Sequence, residues 1–266
     1  MLSILAYFSI AGVFVGLLAG MLGGGGGVIL VPVLVYGLAW QGVGEHAHHL
    51  ALGTSMATMV LTTLVTTVAQ HRKGAVRWSV VARFMPGVLA GTFLGSAIVA
   101  ATPARPLTAL FILFLLFMAW SMARKAEPKP GGHLPGSAML AASGALIGGF
   151  SSFVGIGGGM LTVPFLLFCS VPLREAIGTS AAVTFCVSLS GSLGYMLAGA
   201  AASGLPSHAV GFVYLPAFLC LTLASILCAP LGVRIAYRTP VLLLKRLFAL
   251  FIFCVALKMA HSFLLP

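Results

Sequence analysis

The chain has 266 residues, of which 60% are hydrophobic and only 6% charged. A soluble domain carries about 25% charged residues, so this composition excludes a water-covered globule and points to an all-α polytopic membrane protein. Its 14 Lys and Arg face three Glu and no Asp, for a net charge of +11; these cations sit in short gaps between apolar runs, where they read as topology signals rather than as a nucleic-acid surface.

In chain order, the first apolar segment is 2–22. It lacks the basic n-region of a cleaved signal and belongs to a repeat, so it is expected to stay in the mature protein. It runs into "GMLGGGGGVILVP", residues 20–32, with five consecutive glycines. The following segment, 28–40, has 13 residues; at 1.5 Å per residue it reaches about 20 Å, too short to cross a ~30 Å hydrocarbon core upright. Segments 50–69, 79–100 and 107–123 come next, each close to the ~20 residues of a helical crossing. Beyond "RKAEPKPGGHLPG", a Pro/Gly-rich loop, lie 137–154, a second glycine stretch "SFVGIGGGMLTVP" at 152–164, the short segment 159–171, and then 176–200, 209–232 and 241–263. The expected architecture is about eight long transmembrane helices plus two Gly-broken half-helices.

The two series are copies. Gly12, Gly16, Gly23, Gly25, Gly26, Gly27, Val31 and Pro32 match Gly144, Gly148, Gly155, Gly157, Gly158, Gly159, Val163 and Pro164 at a constant offset of 132. "ALGTSMAT" from Ala51 matches "AIGTSAAV" from Ala176, Pro86 is aligned with Pro216, and "LGSAIVAATP" answers "LGVRIAYRTP". This gives one structural domain with a first repeat at 1–123, a linker at 124–136 and a second repeat at 137–266. Charge then orients the copies. Arg72, Lys73, Arg77, Arg83, Arg124, Lys125, Lys129, Arg174, Arg234, Arg238, Lys245 and Arg246 fall on one side; Arg105 and Lys258 fall on the other. "HRKGAVR" and "AASGLPSH" occupy equivalent places, yet only the first is basic. By the positive-inside rule the halves are inverted, with the basic loops and linker cytoplasmic and both termini outside.

Inverted repeats with helices interrupted at matching positions are the sequence signature of secondary transporters that bind substrate near the midplane. Broken backbone is tolerated in hydrocarbon only where protein or water covers it. At each break the first N–H groups of the next half-helix face the gap with its positive dipole end, a ready anion site. Candidate substrate-binding residues are therefore Gly23, Gly24, Gly25, Gly26, Gly27, Gly155, Gly157, Gly158 and Gly159, with the hydroxyl pairs Thr54–Ser55 and Thr179–Ser180 as donors. The competing reading of glycine runs is close helix packing, which suits Gly12 and Gly16; hydroxyls can equally bond back to their own helix. Neither run is followed by Lys-Ser or Lys-Thr, which excludes a P-loop.

Other features have plainer readings. Cys169, Cys186, Cys220, Cys228 and Cys254 lie in apolar segments and read as small core residues, without redox or metal roles. His46, His48 and His49 beside Glu45 read as a solvated external loop rather than a metal site. Glu175 next to Arg174 is either a proton-coupling acid or an interfacial pair at a helix start. Thr62, Thr63, Thr66 and Thr67 either line a path or bridge helices. No acid–base pair or partnered nucleophile lies inside the apolar segments, so an enzyme is disfavoured. No metal or cofactor is expected.

The duplicated "GGGGGVILVP…LGTS" and "GIGGGMLTVP…IGTS" resemble the sulfite exporter TauE/SafE family, also called the toluene sulfonate uptake permeases, over nearly the whole chain. The resemblance implies a carrier of sulfite, sulfonates or sulfoacetate-like anions in the cell inner membrane. An anion channel using the same helix-dipole site is the alternative. The expected partners are that substrate and the lipid bilayer, with a homodimer left open.

Overall fold

The computed structural model describes residues 2–22, 26–43, 46–123, 134–236, 238 and 241–264. Most of the expected linker, 124–133, and Glu45 lie outside them. The described residues form α1 (Leu2–Leu22), α2 (Gly27–Trp40), α3 (Ala47–His71), α4 (Trp78–Ala100), α5 (Ala104–Ala123), α6 (Ser137–Val154), α7 (Gly159–Phe168), α8 (Leu173–Gly199), α9 (Leu215–Ala236) and α10 (Val241–Leu264), with a two-stranded antiparallel turn of β1 (Ala209–Val210) and β2 (Val213–Tyr214). Helices α3, α4, α6, α8 and α9 are long and apolar enough to cross a membrane. Helices α1, α5 and α10 are of similar length, at 21, 20 and 24 residues, whereas α2 and α7 have only 14 and 10.

Burial sorts the helices into two layers. The spans of α3 and α8 are 72% and 61% buried, against 33% for α4 and α6 and 39% for α9. The outer helices present large side chains such as Leu94, Leu146 and Leu227 outward, as a hydrocarbon-facing surface requires. The inner pair carries the small and hydroxyl-bearing residues that a greasy exterior could not use.

Glycines set the outer contacts. In α1, Gly12 and Gly16 lie against Leu221, Ala224 and the Ser225 backbone of α9. In α6, Gly144 and Gly148 lie against Phe84, Val88 and Thr92 of α4. Helix backbones meet there directly, the small-xxx-small packing expected for Gly12 and Gly16. The other large helix–helix contacts follow the same pattern. α1 packs on α9 as α6 packs on α4, α3 on α9 as α8 on α4, and α2 on α3 as α7 on α8; α3 meets α8, and α5 meets α10. Exchanging α1–α5 with α6–α10 maps this set onto itself.

The direction of the central pair is fixed by two hydrogen bonds. Tyr214, beyond the end of α8, donates its N–H to Thr54 near the start of α3 (2.9 Å). Arg77, beyond the end of α3, donates its N–H to Thr179 near the start of α8 (3.0 Å). Helices α3 and α8 therefore run antiparallel.

Three local expectations change. Segment 209–232 was expected to be apolar helix from its start, but α9 begins at Leu215, because the chain first doubles back at Gly211 (φ 54°), which presses on the Met196 backbone. Helix α7 stops at Phe168, short of 171, because Ser170 turns left-handed (φ 61°) and Pro172 caps α8; the residue before a proline disfavours helix. The match of Pro86 with Pro216 also fails. Pro216 is the second residue of α9, where a missing N–H is harmless, whereas Pro86 lies well inside α4, level with Leu223 when both helices are counted from their starts.

Candidate functional site at the paired helix breaks

The second break is described completely. Helix α6 ends on Gly155 (φ 69°), whose N–H donates to the Ser151 carbonyl at 2.7 Å. Gly157 (φ 66°) and Gly158 (φ 79°) are also left-handed, where any side chain would strain the backbone. Gly158 then caps α7, its carbonyl accepting the N–H groups of Leu161 (3.1 Å) and Thr162 (2.9 Å). The amides of Gly159 and Met160 precede that first bond and carry the positive end of the short helix.

At the first break, Gly23, Gly24 and Gly25 lie outside the described residues. Gly26 caps α2, accepting from Ile29 (3.2 Å) and Leu30 (3.3 Å) as Gly158 does in α7. Gly27 makes the connection between the breaks. A methyl group added there would stand 2.5 Å from Ile156 Cα, 2.7 Å from Met59 Sδ and 2.9 Å from the Gly155 carbonyl oxygen. The two breaks, far apart in sequence, thus meet backbone to backbone, with the Met59 side chain wedged beside both.

Each residue of the duplicated Gly-Thr-Ser motif has its own task. Gly53 and Gly178 let the chain leading into α9 and α4 pass: a methyl added at Gly53 would overlap the Phe212 carbonyl oxygen, and one at Gly178 that of Ala75. Thr54 and Thr179 accept the N–H of Tyr214 and Arg77, as above. Ser55 donates to the Gly155 carbonyl at 2.8 Å, tying α3 to the opposite break, and Ser180 donates to Ile177 at 2.8 Å. All four hydroxyl residues are fully buried. The structure brings Gly26, Gly27, Gly155, Gly157, Ser55 and Met59 together, and it sets Thr54 and Thr179 toward opposite ends of the central pair.

Two residues were overlooked in the sequence. Thr184 and Ser188 continue from Ser180 at intervals of four, one face of α8. A methyl at Gly157 would meet the Thr184 and Met59 methyls at 2.7 Å and Ser188 Oγ at 3.1 Å. Both hydroxyls are fully buried and find no partner among the described residues. The four-residue hydroxyl spacing was the available signal.

The histidines are a correction. His48 and His49 are 4% and 6% exposed on α3, not in a solvated loop. The helix starts at Ala47 and packs them under α5 and the Phe212 ring; His49 Nε2 meets the Thr102 carbonyl at 3.0 Å, and His48 Nδ1 meets Thr108 Oγ1 at 3.3 Å. Glu175, in the first turn of α8, forms an ion pair with the Arg77 guanidinium. Thr62, Thr63 and Thr66 donate to carbonyls four residues back, and Thr62 also meets Ser225 of α9 at 2.6 Å.

Long apolar helices around an antiparallel central pair, with two glycine breaks meeting between them, define a multi-pass helical membrane protein of the transporter class. The family model for sulfite exporter TauE/SafE matches residues 8–259, so the chain belongs to that family of membrane transporters. A Haemophilus influenzae protein described as a probable membrane transporter is 33% identical over 254 residues, covering 94% of this chain and 96% of that one. Similarly described proteins from Xylella fastidiosa and Methanocaldococcus jannaschii are 34% and 25% identical, over 64% and 88% of this chain and 66% and 87% of theirs. No solved structure gives a significant match.

Proposed function

We propose that the chain carries a small sulfur-containing anion (sulfite, a sulfonate or a sulfoacetate-like compound) across the plasma membrane by alternating access between two inverted halves, 1–123 and 137–266. The observation that carries this reading is the meeting of the two breaks. Gly27 and Gly155–Ile156 are in backbone contact while α2 and α7 both begin there, so two helix dipoles converge where no cation is present in sequence. In this reading Gly23–Gly27 and Gly157–Gly159 hold the anion by their amides. Gly155, whose own N–H is held by Ser151, shapes the turn that presents them, and Ser55 and Ser180 fix the geometry with Thr54 and Thr179. Rocking one half against the other exposes the site to each side in turn. An inside-negative potential drives a monoanion outward by about 2.3 kcal/mol per 100 mV, so export needs no coupling ion.

The test is flux of labelled sulfite, sulfoacetate and taurine into proteoliposomes with the potential clamped in either direction. The expected result is saturable flux with counterflow, abolished by Gly157→Leu in protein that still inserts. Flux that never saturates and shows no counterflow would assign a channel instead. Absence of flux for every sulfur anion would remove the substrate class.

A further inference from the structure

Hydroxyls inside a helical bundle ordinarily bond back to their own helix. In this protein Thr62, Thr63, Thr66, Ser151 and Thr162 all do so, to the carbonyl four residues earlier. Thr184 Oγ1 and Ser188 Oγ do not, although both residues are fully buried. Thr58, Thr67, Thr92 and Thr222 likewise find no partner among the described residues, and Thr184 and Ser188 are the ones that stand against Gly157. A buried hydroxyl left without a partner is unfavourable. These two sit one turn apart on α8 beside Gly157, one residue from the cap of α7; Ser188 turns its Oγ toward the glycine and Thr184 its methyl. The amides of Gly159 and Met160, which precede the first intrahelical bond of α7, lie at the same break. A polar ligand with several acceptor oxygens would satisfy all of these donors at once.

The charge of that ligand follows from what surrounds it. No Lys, Arg, His, Asp or Glu occurs in 27–40, 50–70, 159–168 or 176–199, the stretches of α2, α3, α7 and α8 that build the break region. Arg83 is exposed on α4, and Arg77 is paired with Glu175 toward one end of the central helices. Every donor at the break is thus a neutral dipole. The penalty for taking an ion out of water rises with the square of its charge. The attraction of fixed neutral dipoles rises only in proportion to it. A second negative charge therefore adds more penalty than attraction.

We propose that Ser188 and Thr184 complete the anion site at the Gly157 break, and that this site, made of neutral donors alone, takes singly charged oxyanions and rejects doubly charged ones. The proposal rests on the transport reading above and names the charge class of its substrate. It makes hydrogensulfite and sulfonates without a second charge ligands. It excludes sulfate, the sulfite dianion and sulfonates that also carry an ionised carboxylate, such as sulfoacetate, which narrows the transport reading to singly charged sulfur anions.

The test uses the purified full chain and two probes whose charge is constant around neutral pH, methanesulfonate and sulfate. Each is titrated for thermal stabilisation of the protein and for inhibition of labelled sulfite flux. Methanesulfonate is expected to act at concentrations at least about tenfold below sulfate. Ser188→Ala and Thr184→Val should each raise the methanesulfonate requirement by about tenfold, the loss of one hydrogen bond, while Ser188→Thr keeps it. Ligand-free unfolding of each variant shows whether it is folded, and the hydroxyl-retaining variant keeps the test decisive if Ser188→Ala is not. Sulfate acting as well as methanesulfonate overturns the charge selectivity but leaves a sulfur-anion carrier standing. Unchanged titrations in Ser188→Ala and Thr184→Val overturn the assignment of these residues. No effect of either probe, together with no sulfite flux, overturns the transport reading and this proposal with it.

Discussion

Thr54 and Thr179 show how a hydroxyl carries a structural bond that its position in the sequence does not reveal. As hydroxyls beside a glycine they read as ligand donors; in the fold each accepts a backbone N–H from the other half, from Tyr214 and from Arg77. Thr54 is fully buried, so Thr54→Val should leave the Tyr214 amide unsatisfied, at about 1–3 kcal/mol. Unfolding of the detergent-solubilised protein should show a lowered midpoint for Thr54→Val and a near-normal one for Thr54→Ser. An unchanged midpoint in the valine variant would show that the bond does not hold the β2–α9 junction. The motif itself was legible in the sequence, because it recurs. Its division of labour was not, because each partner lies more than a hundred residues away and depends on how α3 and α8 cross.

At the scale of elements, the lengths and order of the helices followed closely from apolar runs and glycine interruptions: α1 and α6 keep their expected bounds, and α2 and α7 are short as expected. Chain geometry decided what hydropathy could not see. The 209–214 stretch is as apolar as a helix start, yet Gly211 and the left-handed His208 (φ 71°) bend it into a hairpin. The histidines mislead for the opposite reason, since their polarity suggests solvent while α3 already contains them. Glycine packing yields a graded prediction. A methyl at Gly16 would overlap the Ser225 backbone, whereas at Gly149 it would meet the Gly91 carbonyl at an ordinary 3.4 Å. Gly16→Ala should therefore destabilise the α1–α9 contact by about 1–3 kcal/mol, as overpacking does. Gly149→Ala should be neutral or slightly stabilising, since alanine is the better helix former. Thermal unfolding of the two variants side by side checks the ranking; equal midpoints would mean that α1 and α9 can separate freely.

For the whole molecule, the side-chain bonds mark two ends. At one, Arg77 of the α3–α4 connection pairs with Glu175 at the start of α8; at the other, the Tyr214 hydroxyl donates to Gln41 at 2.8 Å, joining the α8–α9 connection to that following α2. The end carrying Arg72, Lys73, Arg77 and Arg174 should face the cytoplasm. In a cysteine-free background, Arg72→Cys should then resist an impermeant thiol reagent in intact cells, and Ser207→Cys should react; both positions are exposed. The reverse pattern would turn the molecule over. The two latches differ in chemistry, one ionic and one neutral, and this bears on Glu175. Its carboxylate is about one-third exposed and committed to Arg77, so the pair adds little stability but must rearrange if that end opens. A latch and a proton carrier separate in Glu175→Gln. As a latch, its loss should leave the response of flux to a pH gradient intact and make Arg72→Cys more reactive from the cytoplasmic side. As a proton carrier, its loss should abolish the response to the gradient. The first outcome is expected, because a carboxylate held by a guanidinium at the mouth of α8 stands apart from the break where the anion would bind.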